Sequence, residues 1–260
     1  MPRYELEVVE RQEPKPDHVE LLLDAPSLAA ALTPGQFAHV WTPGRLRRPI
    51  SFSRATPDGR VGLLFRVVGS GTRWLADRRV GDRLDVLAPL GHGFPTPETG
   101  PVLLVGGGVG IPPLFVAAQR WAATHPLSVI LGARTADAVV MVADFQALGL
   151  EPSISTDDGS LGELGRVTSP LTRWLARNDG GQVLACGPTP MLAAVAELVG
   201  DGRPCWVAYE QRMGCGVGAC LACVVPGVGT DGQPEWLRVC HDGPVFSSRR
   251  LWWARRPEEA

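Results

Sequence analysis

Apolar and polar residues along this chain change rhythm twice. In residues 1–98, short apolar and β-branched runs, several alternating with period two, recur at Tyr4 to Val9, Val19 to Leu23, Gln36 to Trp41, Val61 to Val68 and Arg83 to Leu87. Turn formers separate them at Pro34-Gly35, Pro43-Gly44, Pro57-Asp58-Gly59 and Gly81-Asp82. Such spacing predicts an all-β domain, an antiparallel barrel or sandwich. In residues 99–208, strand-like runs at Val102 to Val105, Ser128 to Leu131, Ser153 to Ser155, Val183 to Ala185 and Trp206 to Ala208 alternate with helical stretches over Leu114 to Ala123 and near 138–148, 168–177 and 189–199. That alternation predicts a doubly wound α/β domain, a fold that binds ligands at the carboxyl ends of its strands. Residues 209–260 lose both rhythms, with glycines and cysteines in place of helix formers.

Composition narrows the classes. The 260 residues are 45% hydrophobic, enough for packed cores in two or three domains. Lys and Arg total 25 against 27 Asp and Glu, with no long basic run, so nucleic acid is a poor partner. Arg3, Glu5 and Glu7 fall where a signal peptide would need an apolar core. No uncharged apolar run reaches the roughly 18 residues of a membrane span, which makes the cytoplasm the expected location. Six cysteines in a chain of this size, four of them within 26 residues, point to metal rather than to a disulfide framework. Cys186 and Cys205 lie outside that group and read first as small buried hydrophobes.

The run Cys215-Gly-Val-Gly-Ala-Cys220-Leu-Ala-Cys223, with Cys240 after sixteen intervening residues, has the C-x4-C-x2-C…C arrangement of plant-type [2Fe–2S] sites. Each iron takes two thiolates, and Gly214, Gly216 and Gly218 permit the tight wrapping that amide-to-sulfur hydrogen bonds need. Zinc is the competing reading, but structural zinc sites usually present two C-x2-C-like pairs. A metal centre would stabilise a segment with little core of its own.

Two further loops carry chemistry. Gly106, Gly107, Gly108 and Gly110 follow the first α/β strand, where backbone amides at a helix start can approach a pyrophosphate; Pro112 and Pro113 suit that helix's first turn. Alone, such a turn is equally a tight loop. Cys186-Gly187-Pro188-Thr189-Pro190-Met191 again closes a strand and opens a helix, with Thr189 as an N-cap candidate. Ser155 to Ser160 offers hydroxyls and carboxylates to a ribose, though these are also ordinary turn residues. In the β-block, Arg47-Arg48-Pro49-Ile50-Ser51 places a guanidinium suited to bidentate phosphate contact near a hydroxyl. Phe65 to Thr72 ends a strand in a loop whose amides and hydroxyls could hold a second part of the same dinucleotide.

These motifs together resemble the ferredoxin-reductase superfamily and, within it, the electron-transfer subunits of NAD-dependent (class 1B) dihydroorotate dehydrogenases, over nearly the whole chain. The most discriminating segments are Glu210 to Cys223 and Cys240-His-Asp-Gly243-Pro244-Val245-Phe246, with the cluster last. The resemblance implies an FAD-binding β-barrel (1–98) using Arg48, Pro49, Ile50, Ser51, Gly71 and Thr72, with Phe65, Arg66 and Val67 lining the flavin. It implies an NAD-binding domain (99–208) using Gly106, Gly107, Gly108, Gly110, Cys186, Gly187, Pro188 and Met191, with Glu210 close to the rings. A [2Fe–2S] module (209–260) would use Cys215, Cys220, Cys223 and Cys240. It further implies an FMN-containing catalytic partner that oxidises dihydroorotate in pyrimidine biosynthesis, a heterotetramer of two copies of each subunit, and no general acid or base here. The alternatives are a reductase subunit of a ferredoxin:NADP, sulfide or hydrogenase-type complex, or a non-enzymatic zinc scaffold. Two details stand apart: Pro226 to Glu235 reads as a lengthened surface turn, and Leu251-Trp-Trp-Ala-Arg-Arg256 as a tail serving a partner or packing on the protein itself.

Overall fold

Alternating side chains in the first block close a barrel. The computed structural model describes residues 2–44, 46–229 and 231–253. Strands β1 (Arg3–Lys15), β2 (His18–Asp24), β3 (Phe37–Val40), β4 (Arg48–Ala55), β5 (Arg60–Arg66) and β6 (Arg83–Leu90) join antiparallel in the order β1-β2-β5-β4-β3-β6. Helix α1 (Pro26–Ala31) follows β2. Closure leaves no open edge, and the interior fills with Leu21, Leu23, Phe52 and Leu63, each at most 1% exposed. β4 is the strand that periodicity missed: Pro49, Ser51, Ser53 and Arg54 mask the alternation of Ile50 and Phe52. The segment expected to be a loop after β5 is partly helix α2 (Ser70–Ala76). The Thr72 hydroxyl accepts the Val68 and Gly69 N–H groups at 2.9 and 3.1 Å, and Leu75 is buried beneath it.

The second block forms β7 (Val102–Gly107), α3 (Ile111–Trp121), β8 (Leu127–Ala133), α4 (Val142–Ala147), β9 (Ser153–Thr156), β10 (Glu163–Leu164), α5 (Thr168–Arg177), β11 (Gln182–Cys186), α6 (Thr189–Val199) and β12 (Cys205–Ala208). α5 and α6 span the stretches that apolar spacing predicts. α4 is shorter than predicted because Val139, Val140 and Met141 enter the core before it starts. Thr189 is the first helical residue and caps nothing; Pro188 occupies the cap position.

The last block supplies the hairpin β13 (Val224–Val228) and β14 (Pro234–Arg238), then β15 (Val245–Ser247). The segment read as a lengthened surface turn is the connection of this hairpin: its two ends are paired strand, and the Gly229 N–H donates to the Gln233 carbonyl across the turn between them. β15 joins the large sheet, whose order is β10-β9-β8-β7-β11-β12-β15, antiparallel to β12 while the other neighbours run parallel. Val225, Leu237, Phe246 and Leu251 share one core with Leu103, Val105, Val183 and Val207. The block's apolar residues therefore pack on the nucleotide-type domain rather than forming a separate core. The barrel interlocks with that domain too: Val116 of α3 lies in the barrel core, and Leu64 and Phe94 lie in the core around β7 and α3. Among the described residues no helix is long and apolar enough to cross a membrane. Trp253 packs on Tyr209 and donates to the Ser248 carbonyl at 2.7 Å, whereas Trp252 is half exposed. Ala254, Arg255 and Arg256 of the predicted tail lie outside the described residues.

Candidate functional site

The four clustered cysteines come together in two pairs. Cys215 and Cys220 exchange backbone N–H···Sγ contacts at 3.4 Å each, and the Cys240 N–H reaches Cys223 Sγ at 3.4 Å. Val217 and Ala219 add N–H donors to Cys215 Sγ at 3.4 and 3.3 Å, and Gly218 adds one to Cys240 Sγ at 3.1 Å. Six amides aimed at four sulfurs and one partner thiol per pair suit a binuclear cluster, which takes two thiolates at each iron. Burial opposes charge on Cys215, yet the donated N–H groups outweigh it and bring its pKa down to about 6. Cys240 is pushed up to about 12 by burial, by its hydrogen bond with Cys223 and by the neighbouring thiols' charge. Four thiolates so close repel one another, and cationic iron is what allows them to coexist. The donor set fits the [2Fe–2S] group.

In the barrel, the two consecutive arginines have separate tasks. Arg47 is committed: its Nη2 donates to both Asp85 carboxylate oxygens at 2.9 Å and its Nη1 to the His39 and Asp85 carbonyls. Arg48 has no carboxylate partner among the described residues and lies flat on Gly71, where a Cβ would come within 2.3 Å of its Nε. Thus the structure brings Arg48 and Gly71 together, and a bulkier residue at 71 would displace the guanidinium. Ser51 is partly exposed on the same strand. Ile50 and Phe65 are instead 7% and 5% exposed and belong to the barrel core, so of the residues expected to line a flavin, Arg66 and Val67 reach the surface and Phe65 does not. The Thr72 hydroxyl is occupied in starting α2.

The nucleotide loops meet where the order of parallel strands reverses, between β7 and β11. A crevice at that point, outside the strands' carboxyl ends, is where open α/β sheets bind ligands. Gly110 packs against the Cys186 carbonyl, and Gly107 against Met191 Sδ and Pro188. Gly187 touches Met191 as well, so the two loops support each other and leave no room for side chains at these glycines. Gly106 belongs to β7 and packs on Ile111 and Leu114. Gly108, with φ +53° and open space where a Cβ would sit, is the glycine that faces outward. Cys186 is buried, and burial together with the nearby Glu210 carboxylate pushes its thiol up to about 12. Cys186 and Ala208 are register partners on β11 and β12, which explains why Glu210, two residues on, comes near it. In the loop after β9, the Thr156 hydroxyl donates to the Leu161 carbonyl and the Ser160 hydroxyl to Asp158, the ordinary turn reading; Ser155 Oγ is buried with no hydrogen-bond partner among the described residues.

Sequence reasoning did not single out His39. It is fully buried on β3, neither ring nitrogen makes a well-aligned hydrogen bond among the described residues, and its Nδ1 lies 2.5 Å from where a Cβ on Gly216 would sit. Burial, then the Arg47 charge, lowers its pKa to about 4, so the ring is neutral. The cluster loop therefore rests on the barrel through an imidazole and a glycine. A cleft of about 310 Å3 opens beside this contact, between Trp41, Leu46, Arg47 and Leu87 of the barrel and Gly214 and Cys215 of the loop. The Gly243-to-Phe246 segment makes the second junction: the His92 N–H donates to the Gly243 carbonyl at 2.6 Å, and Gly35 of the barrel lies against Val245.

Comparison with known proteins agrees with this geometry. Residues 210–251 match the family described as the iron–sulfur cluster binding domain of dihydroorotate dehydrogenase B. The dihydroorotate dehydrogenase B (NAD+) electron transfer subunit of Geobacillus thermodenitrificans is 44% identical over 239 residues, covering 87% of this chain and 90% of that protein. The subunit of the same name from Bacillus mycoides is 38% identical over 256 residues, covering 95% and 97%. Among solved structures, a chain of an NADH-dependent reduced ferredoxin-NADP oxidoreductase superposes with a TM-score of 0.83 at 32% identity, covering 95% of this chain and 90% of that one. With a barrel, a switch-point crevice and paired thiols in the same order over almost the full length, the chain belongs to the electron transfer subunits of NAD-dependent dihydroorotate dehydrogenase B.

Proposed function

We propose that this chain takes electrons from a dihydroorotate-oxidising, FMN-containing partner through a [2Fe–2S] cluster and FAD, and delivers them to NAD+, in the cytoplasm and as part of a heterotetramer. The observation that carries the reading is the pairing of Cys215 with Cys220 and of Cys223 with Cys240, under amide donors, on a loop seated against the barrel. Cys215, Cys220, Cys223 and Cys240 would hold the cluster. Arg48, over Gly71, would take the flavin's phosphates, and Gly108, with the loop after Cys186, would receive the nicotinamide nucleotide. When bound, a flavin supplies the exchange between one-electron and two-electron chemistry. The protein's own contribution is to hold the carriers close, bury Cys186 as a neutral thiol, and shield the cluster's buried side with Cys223 and Cys240. No side chain here needs to act as a general acid or base.

The test is co-purification with the native partner, followed by anaerobic addition of dihydroorotate while flavin and cluster absorbance are recorded. Bleaching that NAD+ reverses is the expected result. Bleaching by NADH alone would keep a reductase of the kind represented by the ferredoxin-NADP structure and overturn the dihydroorotate assignment.

A further inference from the structure

The barrel and the nucleotide-type domain meet across a mostly apolar seam, with Val116 on one side and Leu64 and Phe94 on the other. Apolar contact attracts without direction, so a charged contact across it adds an orientation that the packing does not specify. Among the described residues the polar crossings at the edges are to backbone carbonyls, Lys15 Nζ to Ala136 at 3.2 Å and His125 Nε2 with Pro97 at 3.3 Å, and the charged assembly that crosses the seam is built on Arg54. Arg54 of β4 grips Glu20 of β2 bidentately, Nε to Oε1 and Nη2 to Oε2 at 2.8 Å each, and its Nη1 reaches Asp144 of α4 at 3.0 Å. Glu20 is 1% exposed and also accepts from the Ser53 hydroxyl at 2.5 Å. The guanidinium lies 5.5 Å from the Phe115 ring centroid on α3, and Phe115 meets Phe145, the neighbour of Asp144, edge-on at 5.2 Å. Beside it, the Ala55 N–H donates to Gln119 Oε1 of α3 at 3.1 Å.

The local structure is built for this. Pairing of β4 with β5 shifts register between Phe52 and Arg54, an irregularity that re-aims side chains. Opposite it sits Gly62, where a Cβ would come within 2.3 Å of Ser53 Oγ and 2.8 Å of Glu20 Oε1. A buried ion pair adds little net stability compared with apolar residues of the same shape, so its distinctive contribution is geometry. The elements it ties together carry the two reacting sites. β4 begins with Arg48, and α3 begins directly after Gly108–Gly110.

We propose that Arg54, clamped between Glu20 and Asp144, is a positioning residue that sets the distance and angle between the flavin site on the barrel and the nicotinamide site on the nucleotide domain. The proposal rests on the FAD and NAD reading above. In the step concerned, a reduced flavin would give a hydride, two electrons and one proton, to NAD+, and flavin reduction by NADH would read the same step in reverse. Such transfer depends steeply on approach geometry, and a misplacement of about 1 Å can cost on the order of a hundredfold. Electrons arriving from dihydroorotate enter through the cluster loop, which rests on β3, and do not cross this seam.

The test uses the holo two-subunit complex in anaerobic stopped flow, with parent, Arg54→Met, Arg54→Lys and Asp144→Asn forms. Asp144 is 31% exposed at its side chain and touches only the outer arm of the clasp, so Asp144→Asn reports even where Arg54→Met does not fold. Flavin reduction by saturating NADH is expected to fall about tenfold or more in Arg54→Met. Asp144→Asn should lose less, and Arg54→Lys should recover part of the rate. FAD content, NADH affinity and flavin reduction by dihydroorotate are expected to stay at parent values. Equal slowing from both donors, or an unchanged NADH rate in Asp144→Asn with FAD retained, would overturn the proposal. Failure of NADH to reduce the parent flavin would instead overturn the cofactor reading beneath it.

Discussion

The barrel and the cluster loop organise themselves by opposite means. The barrel closes six strands around Leu21, Leu23, Phe52 and Leu63, and its shape follows from burying side chains, with or without a ligand. Residues 211–222 form no helix or strand; their order rests on N–H donors converging on thiols and on the contact of Gly216 with His39. The barrel is therefore expected to keep its fold without a cofactor, and the loop to need one. The difference follows from charge: apolar groups pack without a counterpart, whereas crowded thiolates need a cation between them.

The largest effect should come from Cys220→Ser, which on the proposed ligand set would remove one of two thiolates from one iron. Cluster absorbance is expected to vanish while FAD remains near one per chain, measured by visible spectrum and flavin release; loss of both together would mean that the regions are not separable. Phe52→Ala should cost about 3–5 kcal/mol of barrel stability in chemical denaturation. FAD and cluster should both be lost as it unfolds, because the cluster loop leans on β3. Arg48→Ala should leave folding intact and weaken FAD by about tenfold to a hundredfold, the value of a charge-assisted phosphate contact of ~1.5–3 kcal/mol. Ultrafiltration of the holoprotein reads that change, and an unchanged affinity would transfer the role to another residue.

The smallest effect concerns Asp85, which ties Arg47 and Arg3 at the rim of the barrel. The hydrogen bond from Arg3, then those from Arg47, against a modest cost of burial, hold its carboxyl below the unfolded value of 3.8. A depressed pKa means that its stabilising contribution is complete above that value and is lost as pH falls through the folded one. Asp85→Asn should therefore lower the thermal midpoint at neutral pH, and its difference from the parent should shrink below about pH 4. A difference that persisted into acid would mean that packing, not charge, dominates there.

The gathering of Cys215, Cys220, Cys223 and Cys240 was legible in the chain because their spacing puts three thiols on one short loop. So were the helices 168–177 and 189–199 and most strands, since burial of one face writes a period into neighbouring residues. Choices between similar side chains were not legible. Arg47 and Arg48 look alike in sequence, and Asp85, 38 residues beyond Arg47, takes the first, while the second has only backbone carbonyls as partners among the described residues. Phe65 looked available to a flavin, and closure of the barrel turned it inward. The contact of His39 with Gly216, the pairing of β15 with β12, and the clasp of Arg54 on Glu20 and Asp144 join residues far apart in the chain, 90 positions for Arg54 and Asp144 and more for His39 and Gly216. Local pattern reports which residues wish to be buried and which loops can bend; only the packed chain brings distant charges and surfaces together and selects their partners.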